Sequence, residues 1–73
     1  MLYRFSINIP YDEYLRYYRG ESRHVQVRSH EGLTLRFPAE HLRHHVTRDG
    51  IQGVFELEAS EAGNKFIALR RIG

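Results

Sequence analysis

Apolar and polar residues alternate over most of this 73-residue chain, and one stretch departs from that alternation. Between Pro10 and Gly20 the apolar side chains recur at intervals of three and four residues, the spacing of a helix with one apolar face. Pro10 suits a helix start and Gly20 suits a helix end. The pattern predicts a helix of about two turns that lies on a sheet, with Tyr17 outside the apolar stripe. The predicted stripe consists of Tyr11, Tyr14, Leu15 and Tyr18.

The segments on either side of the helix alternate with the period of two that is typical of half-buried strands. Residues 2–9 form one such segment, and residues 24–28 and 33–37 form a pair on either side of a three-residue loop at residues 30–32. With Gly32 in the left-handed conformation, this pair predicts a β-hairpin. Its register pairs Val25 with Phe37 and Val27 with Leu35, and its outer face carries His24, Gln26, Arg28, Thr34 and Arg36.

The second half of the chain continues with short elements. Pro38 ends the strand before it because proline cannot donate to a strand ladder, and a short helix is expected within residues 39–46. Two more strands are expected at residues 51–58 and 65–72. Gly53 predicts a bulge or a close backbone approach, and the uneven apolar spacing of the last strand predicts either a bulge or two partly covered faces. Turns are expected at residues 47–50 and 60–64.

This order of elements predicts an α+β fold. Every connection is short, so we expect a small twisted antiparallel sheet of about five strands, able to curl toward an open barrel, with the two-turn helix packed on it. A second short helix or helical turn completes the fold. The inward positions, and hence the expected core, are Phe5, Ile7, Ile9, Tyr14, Leu15, Tyr18, Val25, Val27, Leu35, Phe37, Leu42, Phe55, Leu57 and Leu69.

Length and composition narrow the protein class. A chain of 73 residues is expected to form a single domain over residues 1–73, with little room for a deep catalytic cleft. It has no cysteine, no signal-peptide pattern and no apolar run of 18 residues. We therefore expect a soluble cytoplasmic protein with no membrane partner.

Residue patterns that carry chemistry are missing from the chain. It contains neither a nucleophile elbow nor a phosphate-binding glycine loop, so we expect no enzyme and no cofactor. His41, His44 and His45 have helical spacing, and two interpretations of them are open. His41 and His45 could chelate a metal from one helix face, or all three could be solvated side chains. The segment offers only Glu40 as a further ligand, and no metal site is expected.

Charge suggests two kinds of partner. The net charge is only +2, but residues 14–48 carry seven arginines against three glutamates, and ten of the eleven basic residues are arginine. The first expectation is a non-enzymatic module that binds a protein or self-associates, with Val54 and Leu69 as its candidate strip. The alternative is a module for single-stranded nucleic acid or RNA. Its candidate anion-binding residues are Arg28, Arg36, Arg43, Arg48 and Tyr17.

Several stretches resemble a family of small bacterial proteins catalogued as domain of unknown function 2835. The resemblance rests on residues 5–9, 13–20, 37–38, 42–43 and 49–55, which together span most of the chain. The family has no established activity, so the resemblance implies a stand-alone cytoplasmic bacterial protein and no site residues. Two positions that are proline and an aromatic residue in the family pattern are His44 and His45 in this chain.

Overall fold

The computed structural model describes residues 1–62 and 65–73 and has an α+β fold, as predicted. Five strands form two antiparallel sheets, a three-stranded sheet in the order β1-β4-β5 and the hairpin β2-β3. Gly63 and Asn64 of the expected turn at residues 60–64 lie outside the described residues. The elements are β1 (Leu2–Ile9), α1 (Tyr11–Tyr18), β2 (His24–Arg28), β3 (Thr34–Pro38), a 3₁₀ turn (Ala39–Leu42), β4 (Ile51–Ala59) and β5 (Phe66–Arg71).

The single sheet expected from the sequence is divided in two. The hairpin forms its own ladder, and its tip meets β1 through a hydrogen bond from the His30 amide to the Arg4 carbonyl oxygen (2.8 Å). The sheet does not close into a barrel. None of the described helices is long and apolar enough to cross a membrane.

The three-stranded sheet places most of its large apolar residues on one face. Phe5 pairs with Phe55 across β1 and β4, and Leu57 pairs with Leu69 across β4 and β5. The ladder shifts between Glu58 and Ala59, which pair with Ala68 and Phe66, so that Ile67 is the extra residue of a bulge. Of the two alternatives predicted for the last strand, the structure has the bulge, which brings Phe66 and Leu69 to the same side of the sheet.

The hairpin register is confirmed residue by residue. Val25 pairs with Phe37 and Val27 with Leu35. The loop is closed by hydrogen bonds from the Ser29 amide to the Leu33 carbonyl oxygen (2.7 Å) and from the Leu33 amide to the Ser29 hydroxyl oxygen (3.1 Å). The alternation of the sequence was sufficient here because a shift by one residue would turn every apolar side chain to solvent.

The core lies between the two sheets. Phe5 joins them, with its ring centroid 5.9 Å from that of Phe37 and 6.2 Å from that of Phe55. Leu42 of the 3₁₀ turn is fully buried beside them. The buried apolar residues are Phe5, Ile7, Ile9, Tyr14, Val25, Phe37, Ala39, Leu42, Ile51, Phe55, Leu57 and Ala59, and the expected core residues Val27, Leu35 and Leu69 are partly buried against them.

The expected helix stripe is partly wrong. Tyr14 is only 4% exposed, but Tyr18 is 66% exposed and Leu15 is outside the packed core. Tyr17, expected to lie beside the stripe, packs against the core instead. Successive helix positions are about 100° apart, so a helix that faces the sheet with Tyr14 and Tyr17 turns Tyr18 to solvent. The length of α1 agrees with the prediction, and its orientation does not.

Two glycines allow close backbone approaches. Gly50 has φ of +100° in the turn at residues 47–50, and a Cβ there would collide with the Ile9 carbonyl oxygen. At Gly53, a Cβ would stand 2.7 Å from the Gly73 carbonyl oxygen, which confirms the close approach predicted for that position. Only glycine fits the turn at Gly50, because both its φ and the space around it exclude a side chain.

Candidate functional site

A surface groove lies where the C-terminal half of α1 meets the start of β2 and the 3₁₀ turn. It has a volume of ≈ 410 Å³ and combines tyrosine rings with arginine side chains. Tyr14 and Tyr17 form the part of its wall nearest the core, while Tyr18 is the exposed ring. The side chains on which the following argument depends are Tyr17, Tyr18, Arg23, His24, Glu40 and Arg43.

The end of α1 shapes this groove. The Gly20 amide donates to the Tyr17 carbonyl oxygen (3.1 Å), and the Glu21 amide donates to the Arg16 carbonyl oxygen (3.0 Å). With Gly20 at φ +82°, these two bonds form a Schellman motif, which satisfies the last helix carbonyls and reverses the chain. The reversal leads directly into the segment that carries Arg23 toward β2.

A second backbone contact fixes the other wall. The Ala39 amide, at the start of the 3₁₀ turn, donates to the Arg23 carbonyl oxygen (2.8 Å). His24 pairs with Pro38 in the next step of the hairpin ladder. The Arg23 backbone is thus held beside the 3₁₀ turn, whose C-terminal end carries Arg43. Residues far apart in sequence therefore line one groove.

The outer face of the hairpin continues from this groove. The residues expected on that face are all exposed, and the register sets Gln26 opposite Arg36 and Arg28 opposite Thr34. Arg28 and Arg36 are diagonal neighbours, within reach of one ligand. The pair formed by His24 and Pro38 joins this face to the groove. We call this continuous surface the basic strip, and it consists of Arg23, His24, Arg28, Arg36 and Arg43 with the adjoining Tyr17 and Tyr18.

The arginines of the basic strip differ from Arg4 and Arg70 in their partners. Within residues 1–62 and 65–73, none of Arg23, Arg28, Arg36 and Arg43 forms an ion pair. Glu40 is the one carboxylate that lines the described part of the groove, and it leaves Arg43 unpaired. Because an exposed guanidinium group prefers carboxylate or phosphate as a partner, the strip is suited to an anionic ligand.

The outer face of the three-stranded sheet has the opposite character. Glu56 accepts hydrogen bonds from Arg70 Nη2 (3.2 Å) and Arg4 Nε (3.3 Å), and Arg70 Nη1 also lies 3.1 Å from Glu58 Oε1. The hydrogen bond from Arg70, with a weaker contribution from Arg4, lowers the pKa of Glu56. Charges on this face compensate one another, whereas Arg28 and Arg36 on the outer face of the hairpin form no ion pair with any described residue.

The structure brings some of the predicted anion-binding residues together and separates others. Arg28 and Arg36 share the outer face of the hairpin, and Arg43 and Tyr17 share the groove. Arg48 is apart from them, because its turn packs through Gly50 against the Ile9 backbone, just before α1 begins.

The two residues of the expected self-association strip do not lie together. Leu69 pairs with Leu57 and packs against the core on the inner face of the three-stranded sheet. Val54 is on the outer face, opposite Ser6, and its carbonyl oxygen accepts a hydrogen bond from the Ile72 amide (2.8 Å). One partner surface cannot contact both residues on this sheet.

The sequence does not predict three residues of the basic strip as part of a binding site. Helical spacing predicts Tyr18 in the core, and its exposure depends on the orientation of α1. Arg23 belongs to no periodic segment, and His24 was placed on the outer face without a link to Arg43. An arginine just after a helix-ending glycine is only a weak sign of a binding site. Arg23 lies near Arg43 because tertiary packing positions the 3₁₀ turn, and no local pattern predicts that packing.

The histidine cluster is held by aromatic packing. The His41 ring stacks on Phe66 with centroids 3.7 Å apart, and the His45 ring meets Phe55 edge-on at 5.1 Å. Both residues are partly buried, while His44 is exposed. Among the described residues, no group of three His, Cys, Asp or Glu side chains is arranged to hold a metal ion.

The strip combines two kinds of contact. Guanidinium groups bind phosphate oxygens through paired hydrogen bonds, and an exposed tyrosine ring offers a face on which a flat base stacks.

No curated protein and no solved structure matches the chain significantly. A family model described as "Protein of unknown function (DUF2835)" matches residues 1–72, which confirms the resemblance seen in the sequence. The chain therefore belongs to this family of unknown function.

Proposed function

We propose that this protein is a non-enzymatic module that binds single-stranded nucleic acid along the basic strip, with the bacterial cytoplasm as its compartment. The observation that carries the proposal is a set of four arginines on one surface, which form no ion pair with any described residue, beside the exposed ring of Tyr18. Arginines that make no internal ion pair retain their binding capacity for a phosphate backbone.

The dimensions of the strip favour a single strand. From His24 to Arg28 the hairpin spans four residue steps, or about 13 Å, and the groove extends this path past Arg23 to Arg43. Such a path fits the short end of the roughly 4 to 16 nucleotides that small β domains cover. Tyr18 can stack only on a base whose face is uncovered, which a duplex does not offer.

Binding of a protein or a second copy was the first expectation from the sequence. Its candidate residues, Val54 and Leu69, lie on opposite faces of the three-stranded sheet. The alternative interpretation names Tyr17 as its aromatic residue; that ring packs against the core, and Tyr18 is the exposed ring beside the groove. These two observations support nucleic acid as the ligand.

Fluorescence anisotropy with a labelled uridine 12-mer and a labelled thymidine 12-mer tests the proposal. The variant Arg28→Gln with Arg36→Gln removes two positive charges from the strip. Its matched control, Arg4→Gln with Arg70→Gln, removes two from the outer face of the three-stranded sheet, where both are paired with Glu56.

The two double variants have the same net charge, so a difference between them reports position. We expect weaker binding by about tenfold or more in the strip variant and a smaller change in the control. Circular dichroism confirms that both remain folded. Equal losses, or no binding by the wild type at 50 mM salt, would reject the basic strip as a nucleic-acid site.

A further inference from the structure

One edge of β3 pairs with no other strand of the described residues, and we call it the free edge. It borders a second groove, on the core side of the hairpin. This slot has a volume of ≈ 480 Å³ and runs beneath β3. Its apolar surface includes Tyr3, Leu57 and Phe66, while its rim carries Arg36 and Lys65. No acidic side chain among the described residues lines it.

The hydrogen-bond pattern of the hairpin identifies which backbone groups face this slot. At its two ends, the Ser29 amide donates to Leu33 and the Ala39 amide donates to Arg23. Bonded pairs alternate along an antiparallel ladder, so the odd-numbered residues of β3 bond to β2. The N–H and C=O groups of Thr34 and Arg36 consequently point away from β2, toward the free edge.

We propose that the slot receives an extended segment of a partner protein, which adds as an antiparallel third strand along β3 and carries an acidic residue between two apolar ones. An added strand presents alternate side chains to opposite faces. The apolar residues enter the slot, and the acidic residue lies on the outer face opposite Arg36, as a cross-strand pair of opposite charge.

A second copy of the chain fits this edge less well. Two β3 edges paired about a two-fold axis would set Arg36 near its own symmetry mate, and like charges on facing strands are destabilising. Pro38 has no N–H and so limits pairing at that end of the edge. A short foreign strand centred on Thr34 and Arg36 avoids both problems.

The probe is the peptide acetyl-Ser-Thr-Val-Glu-Val-Thr-Ser-amide, titrated into ¹⁵N-labelled protein and followed by amide chemical shifts. We expect shifts and slower hydrogen exchange at the Thr34 and Arg36 amides, which bond to the added strand. Two peptides with one methylated nitrogen each test backbone pairing. Methylation at Glu, whose N–H faces β3, weakens binding by about tenfold, whereas methylation at the second Val, whose N–H faces away, has a smaller effect.

Side-chain chemistry is tested separately. Replacement of the peptide Glu by Lys, or of Lys65 by Glu in the protein, weakens binding several-fold or more. The proposal is overturned if the peptide causes no shifts at millimolar concentration, or if both methylated peptides bind equally. It is also overturned if the shifts map only to Arg28 and Arg43, or if light scattering finds a dimer in which the Thr34 and Arg36 amides are already protected. None of these outcomes depends on oligonucleotide binding, so the slot and the basic strip succeed or fail independently.

Discussion

Tyr17 packs against the core, whereas its neighbour Tyr18 is 66% exposed beside the groove. This difference fixes the orientation of α1, because the face that carries Tyr14 and Tyr17 packs against the core. The tyrosine ring most available to a ligand is therefore one that helical spacing alone assigns to the interior.

Replacing Tyr18 by alanine tests its role as a stacking surface. We expect oligonucleotide affinity to fall by about 1 to 3 kcal/mol, the usual value of one base stacked on an aromatic ring. Tyr11→Ala is the matched control, since Tyr11 is also exposed on α1 but does not line the groove. Equal effects of the two substitutions, measured by anisotropy, would remove Tyr18 from the binding surface.

The orientation of α1 also makes a prediction about stability. Tyr14→Ala removes a ring that is 4% exposed, and we expect it to lower the free energy of unfolding by about 3 to 5 kcal/mol. Leu15→Ala should cost less, because Leu15 is outside the packed core. Urea denaturation of both variants checks the order. If Leu15→Ala were the more damaging substitution, the helix would face the sheets differently.

The turn before β4 has a conformation that only glycine allows. In Gly50→Ala, the new methyl group would meet the Ile9 carbonyl oxygen at positive φ, and we expect a loss of about 3 kcal/mol or more. Gly32→Ala is the matched control, because Gly32 has φ of +88° but open space around it, so only the backbone cost of about 1 to 2 kcal/mol remains. Thermal denaturation of both variants measures the difference, and similar losses would contradict the close packing at Gly50.

Acidic pH should weaken the ion-paired face of the three-stranded sheet. Hydrogen bonds from Arg70 and Arg4 lower the pKa of Glu56 in the folded protein. A carboxylate whose folded pKa is depressed contributes stability above its unfolded pKa of about 4.3, and this contribution disappears as the pH falls through the folded pKa. The stability difference between wild type and Glu56→Gln should therefore be largest above about pH 5 and shrink toward pH 3. A difference that stays constant over this range, in urea denaturation at each pH, would contradict the lowered pKa.

The sequence predicts the strands of this protein better than it predicts their assembly. Period-two alternation sets the hairpin register, because the pairing of Val25 with Phe37 follows from the need to bury both. The hairpin meets the three-stranded sheet through the hydrogen bond from His30 to Arg4, and no local pattern in the sequence encodes that contact. Long-range contacts of this kind are settled by packing alone.

The candidate site shows the same limit. Arg28 and Arg36 could be placed together from the hairpin register, since each is an outward residue of its strand. Their connection to Arg43 depends on the 3₁₀ turn and on the bond from Ala39 to Arg23. The prediction of which face of α1 is buried was wrong, because a stripe of four apolar residues on a two-turn helix is wide enough to fit more than one orientation.

Salt dependence of oligonucleotide binding is the most direct measurement of the central claim. If the four arginines of the strip neutralise four phosphates of a uridine 12-mer, log Kobs should fall with log salt with a slope of about −3, because each contact with a single strand contributes about −0.7. The slope should change to about −1.4 in the variant Arg28→Gln with Arg36→Gln and remain near −3 in Arg4→Gln with Arg70→Gln. A slope near zero in the wild type, or the same slope in both double variants, would contradict binding along the basic strip.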